Sequence, residues 1–279
     1  MTLSITGMST TLALQLLNAT KTQELTAVQK DPANARAIAN FQKDAGSITT
    51  AAQFVNNYNV YSFVMKAFNL DSSMPYKALI QQTLESDSSQ AGSLINKSIN
   101  PQITALYKSL GFTNNGTQTS SFGSTSWQNT IIQQYVQQQY INDESSQNAA
   151  VGNALTFEQQ ASSVKTWYDI LKSSAMTSFM QTALGLPSGM SAQPLAQQVA
   201  AFQSKFDITT LQDPTVVTKL VQKYAMLSDA QNSAANLSSN PAVAVMSGVV
   251  SSASGQFLSA TLDVSSINFS ALSAAHLYG

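Results

Sequence analysis

Apolar side chains recur every three or four residues along most of the first 228 positions, which is the spacing of one face of an α-helix. Between these runs lie helix-start signals such as Asp31-Pro32, in which an acidic cap precedes a proline in the first turn. Residues such as Gly46 are typical helix ends. Strand-like alternation is sparse, so the pattern predicts an all-α, multihelical fold.

Individual helix starts follow from the same signals. Ser47 or Thr49 is expected to cap a short helix after Gly46. Pro75 is expected to open a helix whose buried face carries Leu79, Ile80 and Leu84. A loop rich in Asn, Gly, Ser and Thr covers residues 113–126, and a long amphipathic helix is predicted to begin near Trp127.

One stretch of this pattern occurs twice. Residues 38–70 align without a gap with residues 154–186, at an offset of 116 positions. The paired apolar positions include Phe41 with Phe157, Phe54 with Ile170, Phe63 with Phe179, Ala67 with Ala183, and Leu70 with Leu186. Because the matches fall on apolar positions at helical spacing, they indicate two related helical repeats with a shared packing scheme.

The repeat continues beyond its gap-free part, because Asn100-Pro101 is mirrored by Asp213-Pro214 at an offset of 113. The predicted organisation is an N-terminal segment and helix (1–30), a first helical repeat (31–112), a loop and linking helix (113–147), a second helical repeat (148–228) and an extended, low-charge, Ala/Ser-rich C-terminal tail (229–279). The tail is either ordered by a partner or a loosely packed extension.

Charge is scarce in this chain, and this excludes one class of function. Charged residues make up 10% of the sequence, the formal net charge is -1, and Arg36 is the single arginine. Ordinary soluble chains carry about 25% charged residues. Nucleic-acid binding requires clustered lysines and arginines, so no nucleic-acid partner is expected. The polar surface must be supplied mainly by Gln, Ser, Asn and Thr.

The sequence shows no sign of a membrane span or of a cleaved leader. The most apolar C-terminal run, residues 242–250, is far shorter than the roughly 20 residues that a spanning helix needs. No basic leader precedes the first apolar residues, so a secretory signal peptide is not expected. The chain therefore either stays in the cytoplasm or leaves by a route that needs no cleaved signal. Absence of cysteine excludes disulfides and thiolate metal sites.

Candidate catalytic groups are few. His276 is the single histidine and would have to serve any His-based triad or metal site, but a position so near the C-terminus favours an exposed or partner-facing residue. The carboxylate pairs Glu85 with Asp87 and Asp143 with Glu144 show no sequence sign of environments that separate their pKa values. We predict no enzyme activity, no catalytic or metal-binding residues and no cofactor.

Both ends of the chain carry apolar residues with little adjoining charge. Free ends of this kind are usually disordered, but they can also become ordered against neighbouring subunits. We favour the second interpretation, because apolar side chains at both ends would otherwise lower solubility. The predicted interface residues are Leu3, Ile5, Phe269, Leu272, Leu277 and Tyr278.

Several separated motifs resemble those of an alphaproteobacterial family of unknown function that is usually found near flagellar genes. The matching stretches are AIANFQK at 37–43, KAFNL at 66–70, ALTFE at 154–158, KTWYDIL at 165–171, TALGLP at 182–187 and DP at 213–214. Spacing and order agree from about Asp31 to Asp229. The resemblance implies a multihelical fold and an association with flagellum assembly or structure, and it supplies no catalytic residues. This chain departs from what the resemblance leads us to expect in its low charge and its low-charge tail.

These observations lead to a hypothesis about function. We expect a non-enzymatic structural or assembly protein of the bacterial flagellum or a related exported appendage, acting through subunit contacts. Its partners would be other copies of itself, in a homo-oligomer, or other appendage subunits, located in the flagellum or an extracellular appendage. The alternative is a cytoplasmic flagellar assembly factor or an export chaperone.

Overall fold

The computed structural model describes residues 3–113, 115–119 and 121–238, with the side chains of 188 and 234–238 excepted. Within these residues the secondary structure is helical, apart from one isolated bridge between Thr113 and Gln118. The first seven α-helices are α1 (Thr10–Lys30), α2 (Pro32–Ala45), α3 (Ala51–Asn56), α4 (Tyr58–Ala67), α5 (Lys77–Leu84), α6 (Leu94–Lys97) and α7 (Pro101–Leu110). The remaining six are α8 (Thr125–Gln147), α9 (Ala149–Gln160), α10 (Trp167–Leu171), α11 (Ser174–Ala183), α12 (Leu195–Gln203) and α13 (Pro214–Ser238).

Short 3-10 turns link several of these helices. They span Asp71–Ser73, Ser121–Gly123, Ala161–Ser163, Ser188–Ala192 and Ile208–Gln212. The chain divides into two units, Met1–Ala230 and Gln231–Gly279. The helices from α1 to α12 and most of α13 belong to the first unit. The predicted all-α, multihelical fold is confirmed, while the predicted tail lies almost wholly outside the described residues.

The repeat seen in the sequence is also a repeat of helices. Helix α4 and helix α11 are both ten residues long and begin 116 positions apart. The same offset carries α2 onto α9 and α3 onto α10 to within a few residues at each end. It also carries α1 onto α8, so the duplication begins further upstream than the gap-free sequence match.

Equivalent local contacts begin the third helix of each repeat. The N–H of Thr50 donates to the side-chain oxygen of Gln53 at 3.2 Å, and the N–H of Thr166 donates to Asp169 Oδ2 at 2.9 Å. In both repeats, the side chain of the third residue of the helix thus accepts a hydrogen bond from the backbone N–H of the residue that caps the helix. The prediction of Ser47 or Thr49 as the cap of α3 was wrong, because Thr50 occupies that position.

A left-handed residue ends the fourth helix of each repeat. Asn69 has φ 55° and Gly185 has φ 66°. The next amide in each repeat bonds back across the helix end at 2.8 Å, from Leu70 to Met65 and from Leu186 to Gln181. This is a Schellman-type closure, which needs a residue that tolerates the left-handed region, as Gly and Asn do.

Two aromatic stacks, one in each repeat, belong to two separate hydrophobic clusters. The ring centroids of Phe41 and Phe63 are 4.4 Å apart, and those of Phe157 and Phe179, at the equivalent positions, are 3.9 Å apart. A tyrosine extends each stack at similar distance: Tyr135 on Phe63 at 4.1 Å, and Tyr224 on Phe179 at 4.4 Å. The sequence repeat therefore encodes a repeated core.

Helix α8 serves both repeats. By sequence offset it is the counterpart of α1 and opens the second repeat, yet its Tyr135 completes the aromatic stack of the first. In the second repeat Tyr224 of α13 has that role. Helices α7 and α13 begin at prolines that mirror each other in sequence, Pro101 and Pro214. They pack differently, because α13 supplies the tyrosine of the second stack whereas α8, and not α7, supplies that of the first.

Helix α5 differs from its prediction in two ways. It begins at Lys77, because Pro75 belongs to a turn closed by a hydrogen bond from the Tyr76 N–H to the Ser73 carbonyl at 3.0 Å. Leu79 is exposed, whereas Ile80 and Leu84 are buried as expected. Helix α8 also begins two residues earlier than expected, at Thr125 after a capping serine.

Candidate functional site

The first described residues form a short segment that is bonded to two helices. We name residues 3–8 the strap. The N–H of Leu3 donates to Glu24 Oε2 of α1 at 3.0 Å, and the N–H of Ile5 donates to Gln147 Oε1 of α8 at 2.8 Å. The Gln147 side chain also donates to the Leu3 carbonyl at 3.4 Å. These bonds attach the strap to residues that are distant in sequence.

The predicted interface residues have separate locations. Ile5 is 0% exposed and belongs to the first hydrophobic cluster, and Leu3 is half-buried. The side chain of Ile5 thus packs inside its own chain in this conformation. An interface role for either residue stays a prediction. The other predicted interface residues lie outside the described residues: Phe269, Leu272, Leu277 and Tyr278.

Three polar side chains are buried between α1 and α8, beside the strap. Glu144 and Tyr140 are fully buried, and Glu24 is 7% exposed. Neither Glu144 Oε1 nor the Tyr140 hydroxyl has a hydrogen-bond partner. The Gln147 side-chain nitrogen lies 3.5 Å from Glu144 Oε2, so one glutamine contacts both the strap and the buried acid.

The buried acid is held toward its neutral form. Burial, followed by the negative charges of Glu24 and Asp143, raises the pKa of Glu144 from 4.5 to about 7. Burial, followed by the charges of Glu144 and Glu24, raises the pKa of Tyr140 well above its usual value. In the described part of the chain, the charged groups that act on Glu144 are therefore acidic.

Sequence reasoning missed this site. The pair of Asp143 and Glu144 was expected to lack environments that separate the two pKa values, yet Glu144 is fully buried and Asp143 is exposed. The repeat carries the signal that could have found it. At the offset of 116, Glu144 corresponds to Val28, a buried residue of α1, so the acid stands at a core position.

The other carboxylate pair has no comparable environment. Asp87 is exposed, and hydrogen bonds from the Ser89 side chain and backbone lower its pKa. Glu85 accepts a hydrogen bond from Gln81 at 2.7 Å. Over the described ranges, no group of three or more His, Cys, Asp or Glu side chains could hold a metal ion. His276 lies outside those ranges.

A second carboxylate binds the start of α1. Asp229 Oδ1 accepts from the Thr10 N–H at 2.6 Å, and Oδ2 accepts from the Thr11 N–H at 3.0 Å and the Thr11 hydroxyl at 2.7 Å. Burial opposes ionisation, but these bonds outweigh it and lower the pKa of Asp229. A carboxylate at a helix N-terminus is favoured by the helix dipole, so this contact joins α13 to α1.

Several surface grooves formed by the described residues are large enough for small ligands or peptide segments. A groove of about 330 Å³ lies between α1, α9 and α13 and is lined by Leu14, Val221 and Met226 among others. A cleft of about 310 Å³ has a lining of uncharged side chains, including Gln134 and Gln138. The described helices include none that is long and apolar enough to cross a membrane.

Fold and site together define an all-α protein built from a duplicated helical unit, with a buried acidic site between the two repeat-opening helices. The chain belongs to the family described as protein of unknown function (DUF1217), whose sequence profile matches residues 67–217. Its fold is similar to the X-ray crystal structure of protein AGR_C_984 from Agrobacterium tumefaciens. That likeness has a TM-score of 0.72 and 25% identity, and covers 83% of this chain and 98% of the other. A comparison with curated proteins finds no match.

Proposed function

We propose that this protein is a non-enzymatic structural or assembly subunit of the bacterial flagellum or a related exported appendage, and that it acts through contacts between subunits. The observation that carries the proposal is a repeated exposed leucine. Leu79 of α5 is 50% exposed, and Leu195 of α12, at the equivalent position 116 residues later, is 56% exposed. Two exposed apolar side chains at equivalent positions suit a subunit with two similar contact faces.

The low charge supports the same function. With 10% charged residues and a net charge of -1, copies of this chain repel one another weakly. Uncharged amide and hydroxyl groups lose less hydration energy than ionised groups when a subunit contact forms. Resemblance of the motifs to a family found near flagellar genes is the reason for proposing the flagellum in particular.

The proposed contact is tested by replacing both leucines. The double variant L79S/L195S should lower the mass that light scattering measures for the purified protein, because each repeat loses an apolar contact residue. The variant L12S is the matched control, since Leu12 is 54% exposed but aligns with Gln128 in the other repeat. An unchanged mass in the double variant would contradict the proposed contacts.

Location tests the appendage itself. We expect antibody to this protein to label sheared filaments or purified basal bodies. Detection in the cytosol alone would favour the second candidate, a cytoplasmic assembly factor or export chaperone. The observation that favours this candidate is the groove between α1, α9 and α13, whose apolar residues Leu14, Val221 and Met226 could receive a helical segment of an appendage subunit.

A further inference from the structure

The strap and the buried acid are joined through one side chain. Gln147 Oε1 accepts from the Ile5 N–H at 2.8 Å, while its Nε2 lies 3.4 Å from the Leu3 carbonyl and 3.5 Å from Glu144 Oε2. Movement of Glu144, or entry of water that hydrates it, therefore displaces the Gln147 side chain. Displacement of that side chain weakens its two hydrogen bonds to the strap.

The surroundings of Glu144 suit its protonated form. Glu24 faces it from α1, and Asp143 and Tyr140 accompany it on α8. Glu158 of α9 acts on Tyr140 and is also acidic. An ionised Glu144 would be a buried charge among like charges, with no cation among the described groups that act on it, and would have to draw in water.

The strap is the part of this site that opens most easily. Helices α1 and α8 contain 21 and 23 residues, whereas the strap has six residues and attaches through a few hydrogen bonds and the buried Ile5 side chain. Segments with few buried contacts open before long helices do. Hydration of Glu144 is therefore expected to displace the strap while both helices stay folded.

We propose that the strap is a pH-controlled latch, docked while Glu144 is protonated and released when Glu144 loses its proton. Release of the strap rests on its bonds to Glu24 and Gln147 and on the contact of Gln147 with Glu144.

Hydrogen exchange at the strap amides tests the latch. Because the pKa of Glu144 is raised from 4.5 to about 7 in the docked state, opening should increase with pH between these values and level off above them. After correction for the intrinsic exchange rate, protection of the Ile5 amide should fall between pH 5 and pH 7, by about 30-fold at most, because Glu24 and Asp143 stay beside Glu144 when the strap opens. The Leu70 amide, which bonds to Met65 at 2.8 Å, is the reference and should not change.

Two variants decide whether Glu144 is responsible. In Glu144→Gln, protection of the Ile5 amide should be independent of pH, and a loss equal to that of the natural protein would overturn the latch. Asp143→Asn changes an exposed residue and removes one of the charges that hold Glu144 neutral, so the pH-dependent loss should shrink without disappearing. The latch would also be overturned if Asp143→Asn lost as much protection of the Ile5 amide as the natural protein does, or if that protection did not vary with pH in the natural protein.

Discussion

Replacement of Glu144 by glutamine should stabilise the protein at neutral and alkaline pH. The pKa of Glu144 is higher in the folded chain than in the unfolded chain, so the folded state binds the extra proton between the two values. Its contribution to stability is fully present below pH 4.5 and is lost as the pH rises toward 7. Glutamine is uncharged at every pH and does not suffer this loss.

The size of the effect follows from the difference between the two pKa values. At 1.36 kcal/mol for each unit, a rise from 4.5 to about 7 corresponds to about 3 kcal/mol of stability lost between acidic and alkaline pH. This conversion applies to a fully buried carboxyl, as Glu144 is, and is an upper value because water can reach the site when the strap moves.

The assay is urea unfolding of the natural protein and of E144Q at intervals from pH 4.5 to pH 8.5. The difference in free energy of unfolding should grow in favour of E144Q up to about pH 7 and then remain constant. Groups that do not interact with Glu144 titrate equally in both proteins and cancel in the difference. A difference that does not vary with pH would refute the reasoning.

Asp87→Asn is the control of opposite sign. Asp87 is exposed and hydrogen bonds from Ser89 lower its pKa, so its contribution to stability is present at neutral pH and is lost as the pH falls through its folded value. Unfolding measured below pH 3.8 should therefore show the natural protein losing stability relative to D87N as the pH falls, whereas the E144Q difference varies between pH 4.5 and 7. A D87N difference that varied between pH 4.5 and 7 would show that the pH dependence does not come from these carboxyls.

Two further predictions test the repeat. Phe41→Ala and Phe157→Ala should each cost about 3–5 kcal/mol in urea unfolding, because each removes a buried ring from an equivalent stack; a large cost in one variant and a negligible one in the other would contradict the shared packing. Gly185→Ala should lower stability by about 1 kcal/mol through backbone strain at φ 66°, even though no atom lies near the added methyl group. Gly189 has similar free space and no left-handed φ. Gly189→Ala should therefore leave stability unchanged in thermal unfolding.

Much of the helical framework was predictable because its signals are local. Proline after a capping residue marks the starts of α2, α7 and α13, and the paired phenylalanines at an offset of 116 identify the repeated core. Prediction failed where two local signals competed. Pro75 was read as a helix start, but a turn through Ser73 and Tyr76 uses it instead, and the exposure of Leu79 cannot be deduced from helical periodicity alone.

Helix positions, duplication and electrical neutrality were all determined by the order of residues, since caps, apolar spacing and charge content act over a few neighbouring positions. Burial of Glu144 and docking of Ile5 against Gln147 were decided by the folded arrangement, because the two bonded residues are separated by 142 positions. A glutamate on an amphipathic helix looks the same in sequence whether it faces water or a neighbouring helix. Its pKa depends on that difference, and so does the state of the strap.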